Sequence, residues 1–114
     1  MDAAPKPDAP EAFFAVDMRV GRIVDVMPFP EARKPAWKLR IDFGPLGERQ
    51  TSAQITHYAA DELTGRPVVC AVNLGDKRIA GFTSECLVLG AIGDDGVVRL
   101  LRPDDCARPG EPIS

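Results

Sequence analysis

Apolar and polar residues alternate with a period of two over residues 16–27, and this pattern predicts a β-strand with one buried face. Val16, Met18 and Val20 share one phase of the alternation. The phase breaks just after Gly21, and a glycine at such a break often marks a bulge or a sharp bend. We therefore predict a long first strand that bends at Gly21, as a small closed barrel requires.

A second strand is predicted over residues 37–43, where the alternation is cleaner. One phase is apolar and faces a core, while the other phase carries Lys38 and Arg40 towards solvent. Residues 48–55 predict a third strand, which is polar and contains few apolar residues.

The rest of the chain places short apolar runs between turn signals. Phe13 and Phe14 precede the first strand and predict a short helical turn that packs their rings. Thr56 is a predicted N-cap for a short helix over residues 57–63. Further strands are predicted at residues 68–74, 85–91 and 97–101. Together these elements predict a mostly all-β fold, a five-stranded Greek-key barrel with a short helix between strands 3 and 4 and short terminal extensions.

The chain has 114 residues, which suits one compact domain. Residues 1–9 are rich in proline and charge, so we expect a disordered leader before a single domain over residues 10–114. No apolar run approaches the roughly 20 residues that a membrane-spanning helix needs, and the N-terminus lacks the pattern of a signal peptide. We therefore expect a cytosolic protein without membrane insertion.

The net charge is −3, but the basic side chains concentrate in one part of the chain. Residues 19–49 carry seven basic and four acidic side chains, whereas residues 1–18 are acidic. A polyanion responds to the local sign of charge more than to the total, so this distribution is compatible with nucleic-acid binding. The alternative is mixed surface charge that keeps a small domain soluble.

Residues that enzymes commonly use are sparse. His57 is the single histidine, and Ser52 and Ser84 have no histidine placed by the sequence to activate them. Phosphate loops, dinucleotide fingerprints and the common hydrolase motifs are absent from the sequence. We expect a protein that is not an enzyme and uses no cofactor.

The three cysteines are widely spaced and include no C-x-x-C pair, which argues against a structural zinc site. Cys70 and Cys86 lie in apolar runs and are interpreted as reduced core residues. Cys106 lies near the C-terminus and receives no role.

Four ordered stretches of the chain resemble one family. The first, VDMRVGRIVDV, is similar to the V-D-[IL]-R-[VT]-G-x-[IV] opening of the tRNA-binding domain. FPEARKPAWKLRIDFG and TSAQIT are similar to segments of its CsaA type. AVNLGDKRIAGFTSECLVLGA follows the pattern V-x-N-[LF]-x-x-[KR]-[KR]-[IL]-x-G-x-x-S-E-x-L-[VL]-L-[GA]. The match covers about residues 13–102 with compatible spacing, so the chain is identified as a member of this family.

The resemblance implies an OB-fold, a homodimer and structure-dependent binding of tRNA. The CsaA type is described as a chaperone that aids protein export by binding unfolded preproteins and the Sec export machinery. Two functions therefore stay open, the binding of structured RNA and the holding of extended polypeptide. One departure from the family is Asp76, which places a negative charge beside the basic pair Lys77 and Arg78.

The predicted RNA-binding residues are four cations: Lys38, Arg40, Lys77 and Arg78. The first two are placed by the strand pattern, and the last two are placed by the resemblance on the turn after the fourth strand. Arg33 and Lys34 lie on a loop and are expected to steer the ligand. Asp17 and Arg19 are predicted to form an ion pair.

A polar pocket for a peptide or a nucleotide is predicted from family motifs at Ser52, Gln54, Asn73, Ser84 and Glu85. The alternative for each of them is a structural hydrogen bond. Tyr58 is the one aromatic residue that the pattern leaves exposed. The shortage of stacking platforms favours recognition of RNA shape and backbone over recognition of splayed bases.

Overall fold

The computed structural model describes residues 4–114, and short antiparallel strands dominate it. Two short helices accompany the strands: α1 (Pro10–Ala15) precedes the first strand, and α2 (Ala60–Leu63) lies between the third and the fourth. The strands in chain order are β1 (Met18–Pro28), β2 (Trp37–Asp42), β3 (Glu48–Ala53), β4 (Pro67–Ala71), β5 (Lys77–Ile79), β6 (Phe82–Ser84), β7 (Leu87–Val88), β8 (Gly90–Ile92) and β9 (Val98–Leu100).

Five strands form a nearly closed barrel in the order β3-β2-β1-β4-β7, and every neighbouring pair is antiparallel. β5 pairs with β6 in one hairpin, and β8 pairs with β9 in another. The predicted fold class is confirmed, although the single strand expected over residues 85–91 is divided into β7 and β8. Within residues 4–114, neither helix has the length and apolar character needed to cross a bilayer.

β1 is the central strand and pairs with β2 and β4. Its register shifts between Ile23 and Asp25, so the prediction of a bend at Gly21 was wrong by a few residues. Gly21 instead permits a close approach, because a Cβ atom there would lie 2.6 Å from Ile41 Cγ2 and 2.8 Å from Phe43 Cε1. The glycine therefore lets the core side chains of the neighbouring strand pack directly against the β1 backbone.

The barrel interior is filled by apolar side chains from the strands and from α2. The most completely buried of them include Phe43, Ile23, Leu39, Ile41, Leu63, Val68 and Cys70. Burial of one large aliphatic or aromatic side chain stabilises a fold by about 1.5–3 kcal/mol. This cluster therefore supplies the rigid frame on which the loops and hairpins are mounted.

α2 is shorter than the sequence predicts. It begins at Ala60 rather than His57, and the predicted cap Thr56 lies outside it. The backbone N–H of Ala59 donates to Glu62 Oε1 at 2.8 Å and stabilises the helix start. Tyr58 packs against the core, and its hydroxyl accepts a backbone N–H from β9 at 3.1 Å. This tertiary packing holds residues 57–58 outside the helix.

The barrel closes where one end of β3 meets the segment that joins β6 to β7. The Glu85 N–H donates to the Gln50 carbonyl at 2.8 Å, and the Gln50 N–H donates to Glu85 Oε1 at 2.9 Å. The buried Thr51 hydroxyl lies 2.6 Å from Ser84 Oγ and donates to the Cys86 carbonyl at 2.6 Å. Beyond Thr51, no strand in the described part of the chain pairs with the outer edge of β3, so the barrel stays open there.

The N-terminal segment is held at the other end of the barrel by Asn73. Its Oδ1 accepts the Asp17 N–H at 2.7 Å, and its Nδ2 donates to the last carbonyl of α1 at 2.8 Å. The predicted ion pair between Asp17 and Arg19 is present at 2.6 Å. The prediction that α1 packs its aromatic rings was wrong, because Phe13 and Phe14 are 46% and 79% exposed and contact each other edge to face.

Candidate functional site

The open edge of β3 borders a groove made of three adjoining cavities of about 520, 340 and 340 Å³. Ser52 lines all three cavities, and Gln54 lines two of them. The loop between β1 and β2 forms one wall, and the β5–β6 hairpin forms another. We call this depression the β3 groove. The two polar residues predicted from the TSAQIT motif therefore lie at its centre.

Backbone groups of β3 point into this groove. Successive residues of an antiparallel strand direct their N–H and C=O groups to opposite sides. The Gln50 backbone faces the closing segment, because both of its polar groups bond to Glu85. By the same alternation the N–H and C=O of Ser52 face the groove, where no strand of residues 4–114 pairs with them. This edge can accept another extended chain.

One rim of the groove is formed by β5, where Lys77 lines one of the cavities and Arg78 is its neighbour on the strand. The sequence places these cations on a turn, whereas the structure places both on β5, exposed to solvent. The hairpin turns tightly through Ala80 and Gly81, whose φ angles are 47° and 81°. A two-residue turn of this kind needs positive φ at both positions, so its glycine is expected and its alanine is strained. The tight turn keeps β5 and its Lys77 beside the groove.

The opposite rim carries Arg33 and Lys34, which are exposed and line the largest cavity. We call Arg33, Lys34, Lys77 and Arg78 the rim cations. None of them forms an ion pair with another residue of the described chain. Glu31 lines the same cavity and offsets part of this positive charge. The rims are therefore the places where an anionic ligand finds cations that are not already neutralised.

Lys38 lies on the outer side of β2, as predicted, but its ammonium group is held by two aromatic rings. The Nζ atom lies 4.8 Å from the centroid of Phe29 and 5.2 Å from that of Phe82. These are cation–π distances. Phe29 belongs to the β1–β2 loop and Phe82 to β6, so Lys38 joins the two walls of the groove.

Arg40 is exposed on the same side of β2, and two carboxylates neutralise it. Its guanidinium lies 3.6 Å from Asp25 Oδ2 and 3.0 Å from Glu48 Oε1. One cation between two anions leaves this cluster with a net negative charge. The cluster therefore offers less attraction for phosphate than the rim cations do.

Three residues of the predicted polar pocket have contacts that serve the fold. Ser84 is buried against Thr51, the carboxylate of Glu85 accepts the Gln50 N–H, and Asn73 holds α1. These contacts match the structural alternative for each residue, and a binding role for them stays a prediction.

The aromatic rings around the groove are too buried to serve as platforms for base stacking. Tyr58 is half-buried, and the guanidinium of Arg66 lies 5.1 Å from its ring centroid, so it is not the exposed platform that the pattern indicated. Phe29 is 4% exposed, and Phe82 is half-buried. A nucleic acid at this site would be read through its backbone and shape.

Comparison with known proteins identifies the family of this chain. The family described as "Putative tRNA binding domain" matches residues 18–112. The CsaA chaperone protein from Picrophilus torridus is 48% identical, with a TM-score of 0.88 over 94% of this chain and 99% of that chain. The chaperone CsaA from Bacillus anthracis is 44% identical, with a TM-score of 0.90 over 96% and 100% of the two chains. The methionine–tRNA ligase of Porphyromonas gingivalis is 34% identical over 103 residues, which are 90% of this chain and 15% of the ligase.

Fold, groove and matches define a small binding domain of the OB type. The chain belongs to the tRNA-binding-domain family, and it covers the CsaA proteins almost from end to end. It spans about 15% of the length of the methionine–tRNA ligases that it matches. The ligase name describes those whole enzymes, whereas the shared part is the binding domain.

Proposed function

We propose that this protein is a CsaA-like, homodimeric tRNA-binding protein that receives the nucleic acid along the β3 groove. The observation that carries the proposal is the presence of exposed, unneutralised cations on both rims of one groove. Membership of the tRNA-binding-domain family supports tRNA as the ligand. The net charge of −3 does not oppose binding, because screening limits the reach of the distant acidic residues to about 10 Å.

The rim cations contact phosphate oxygens, and the walls of the groove select the shape of the folded RNA. Phosphate contacts position a nucleic acid without reading its sequence. The shortage of exposed rings fits this mode, since stacking on splayed bases needs an aromatic platform. We expect similar affinity for different tRNAs and weaker affinity for an unstructured RNA of the same length.

Charge reversal of one rim tests this assignment. We expect Lys77→Glu/Arg78→Glu to abolish tRNA binding in a fluorescence anisotropy assay, because two attractive contacts become repulsive. The matched control is Lys6→Glu/Arg108→Glu, which makes the same change in net charge. Arg108 adjoins Pro109, and Pro109 contacts Gly44. Gly44 follows the end of β2 that is farther from the groove. Equal losses of tRNA affinity in the two variants would show that the groove is not the binding site.

A second function rests on the open edge of β3. We propose that the groove also holds unfolded preproteins and delivers them to the Sec export machinery, as a CsaA-like chaperone. The Ser52 backbone can pair with an extended chain, and the adjoining cavity is lined mainly by apolar residues. Those residues include Ile55, Leu87, Val88, Ile92, Val98 and Leu100.

Parallel binding assays distinguish the two functions. The purified protein is titrated with a tRNA and with an unfolded preprotein at low and at raised salt. Main-chain pairing neutralises few charges, so preprotein binding should survive salt that weakens tRNA binding. Binding of tRNA alone would leave a general structured-RNA module without a chaperone role.

The homodimer is proposed from α1. Phe14 is 79% exposed and Phe13 is 46% exposed, and a second subunit is the natural cover for such rings. Leu101 is also exposed, whereas Leu100 is covered by its own barrel. The cytosolic location expected from the sequence stays a prediction, to be checked by cell fractionation.

A further inference from the structure

Lys38 lies beside the centre of the β3 groove, and the protein itself holds its ammonium group. Lys38 pairs with Ser52 across the β2–β3 ladder, so the two side chains lie on the same face of the sheet. The Nζ atom lies over the rings of Phe29 and Phe82, at the 4.8 and 5.2 Å given above. The lysine is half-buried, and a cation–π contact is stronger there than at a fully exposed position.

The two rings belong to the two walls of the groove. Phe29 directly follows β1 and begins the loop that carries Arg33 and Lys34. Phe82 begins β6, which pairs with β5, the strand that carries Lys77. The ring centroids are 5.5 Å apart in an edge-to-face arrangement, so the two walls touch through these rings. The group that spans both walls is called the lysine–aromatic cluster and consists of Lys38, Phe29 and Phe82.

Hydrogen bonds hold each wall separately. The Gln50 Nε2 donates to the Thr83 carbonyl at 2.9 Å and attaches the β5–β6 hairpin to β3. In the loop, the Ala32 N–H donates to the Phe29 carbonyl at 3.2 Å. Within residues 4–114, no hydrogen bond or ion pair joins residues 29–35 to residues 77–82. The spacing of the walls therefore rests on packing, and the lysine–aromatic cluster is the part of that packing that spans both.

We propose that Lys38 is a positioning residue of the β3 groove, whose contacts with Phe29 and Phe82 set the spacing of the two rims so that cations on both rims reach phosphates of one RNA. The role in RNA binding rests on the proposed function, whereas the spacing is a property of the free protein. A preorganised site loses less entropy when the ligand binds, so fixed rims raise affinity. Lys38 therefore raises affinity without adding to the salt dependence, which counts phosphate contacts.

Hydrogen exchange of the free protein, followed by NMR, tests the spacing. Lys38→Gln removes the charge, whereas Lys38→Arg keeps a cation that also binds aromatic faces. We expect amides of the β5–β6 hairpin and of Ala32 to exchange at least about fivefold faster in Lys38→Gln, and within about twofold of wild type in Lys38→Arg. Amides of the β1–β4 ladder should keep their wild-type rates, which separates local opening from a general loss of stability. Unchanged exchange in Lys38→Gln, or equally fast exchange in both variants, would overturn the proposal.

The wild-type protein provides a measurement that needs no substitution. Ring currents shift protons that lie over an aromatic face upfield. The ε-protons of Lys38 should therefore resonate upfield of the ε-protons of Lys34 and Lys77, which are exposed. Equal chemical shifts would show that the ammonium group does not lie between the rings, and the proposal would fail.

Titrations with labelled tRNA separate positioning from phosphate contact. Lys34→Gln is the matched control, because it removes the same charge from an exposed rim cation. Lys38→Gln should weaken binding about threefold or more at every salt concentration and keep the log–log slope near about −3. Lys34→Gln should reduce the slope to about −2 and leave exchange of the hairpin unchanged.

Two results of the titration would overturn the positioning role. A slope near about −2 for Lys38→Gln would show that Lys38 contacts phosphate directly. Unchanged affinity of Lys38→Gln would show that the spacing of the rims does not matter for the RNA. A wild-type protein that binds no tRNA would contradict the proposed function instead, while the exchange rates would still decide whether Lys38 sets the spacing.

Discussion

Removal of the two cations of β5 should weaken the salt dependence of tRNA binding. The perturbation is Lys77→Ala/Arg78→Ala. Neither side chain pairs with a carboxylate of the described chain, so their loss leaves no orphaned partner in the fold. Exposed charges add little to stability, and the variant should unfold at nearly the wild-type midpoint.

The magnitude follows from the number of phosphate contacts. Four rim cations on partly single-stranded RNA give a log–log salt slope of about −3, because each contact contributes roughly −0.7. Between about 50 and 200 mM salt, the wild-type affinity should then fall roughly 50-fold. With two contacts the slope is about −1.4, and the loss over the same range is roughly sevenfold.

Arg40→Ala is the matched comparison, because Arg40 is also an exposed cation on this side of the barrel. Its guanidinium is already neutralised by Asp25 and Glu48, so its removal should leave the slope near −3. Anisotropy titrations with labelled tRNA at several salt concentrations measure all three slopes. A slope for the double variant that equals the wild-type slope would refute the assignment of these cations as phosphate contacts. A slope that changes on Arg40→Ala would instead indicate that Arg40 contacts phosphate, as the strand pattern predicts.

Further predictions concern other parts of the molecule. Ser52→Pro should abolish preprotein binding because it removes the N–H that faces the groove, while Ser52→Ala keeps that N–H and should bind normally in the same assay. Phe13→Ser/Phe14→Ser should convert a dimer to a monomer of 12.3 kDa by light scattering, and a wild-type protein that already scatters as a monomer would contradict the dimer. Gly21→Ala should lower the free energy of unfolding by about 1–3 kcal/mol in a denaturant titration, because its Cβ would overlap core side chains of β2. Asp76→Lys should tighten tRNA binding by removing a negative charge next to Lys77, and unchanged affinity would place that turn outside the interface.

The barrel could be predicted because its strands carry signals of their own, whereas the short strands β5 and β6 were not predicted. The clean alternation of residues 37–43 placed β2 correctly, since a strand with one buried face needs that period. The sequence predicted less accurately where an element begins or bends when tertiary contacts determine that position. The helix after β3 was predicted too long because the packing of Tyr58 against β9 has no local signature. The bulge of β1 was placed at Gly21 because the sequence shows a glycine, but not that Phe43 packs on it.

The site was predicted less completely than the fold. The pattern identified Lys38 as solvent-facing, which is correct, but not that Phe29 and Phe82 enclose its ammonium group. Sequence spacing cannot show such a contact, because the three residues lie on a loop and two separate strands. The sequence predicts a steering role for Arg33 and Lys34. Their position on the groove wall depends on how the β1–β2 loop packs against β3, which the sequence does not show. Two adjacent cations in a loop flanked by prolines were the available signal.

The way in which the barrel closes determines where a ligand can bind. At one end of β3 the backbone of Gln50 and the hydroxyl of Thr51 are satisfied by the closing segment, so this end contributes to stability. At the other end the Ser52 backbone is left without a partner strand, and the barrel does not need to open before a ligand approaches it. The proposed polypeptide would use this backbone edge, whereas the proposed tRNA would use the rim cations. Because both sets of atoms border one groove, the two ligands would exclude each other sterically even though they use different contacts.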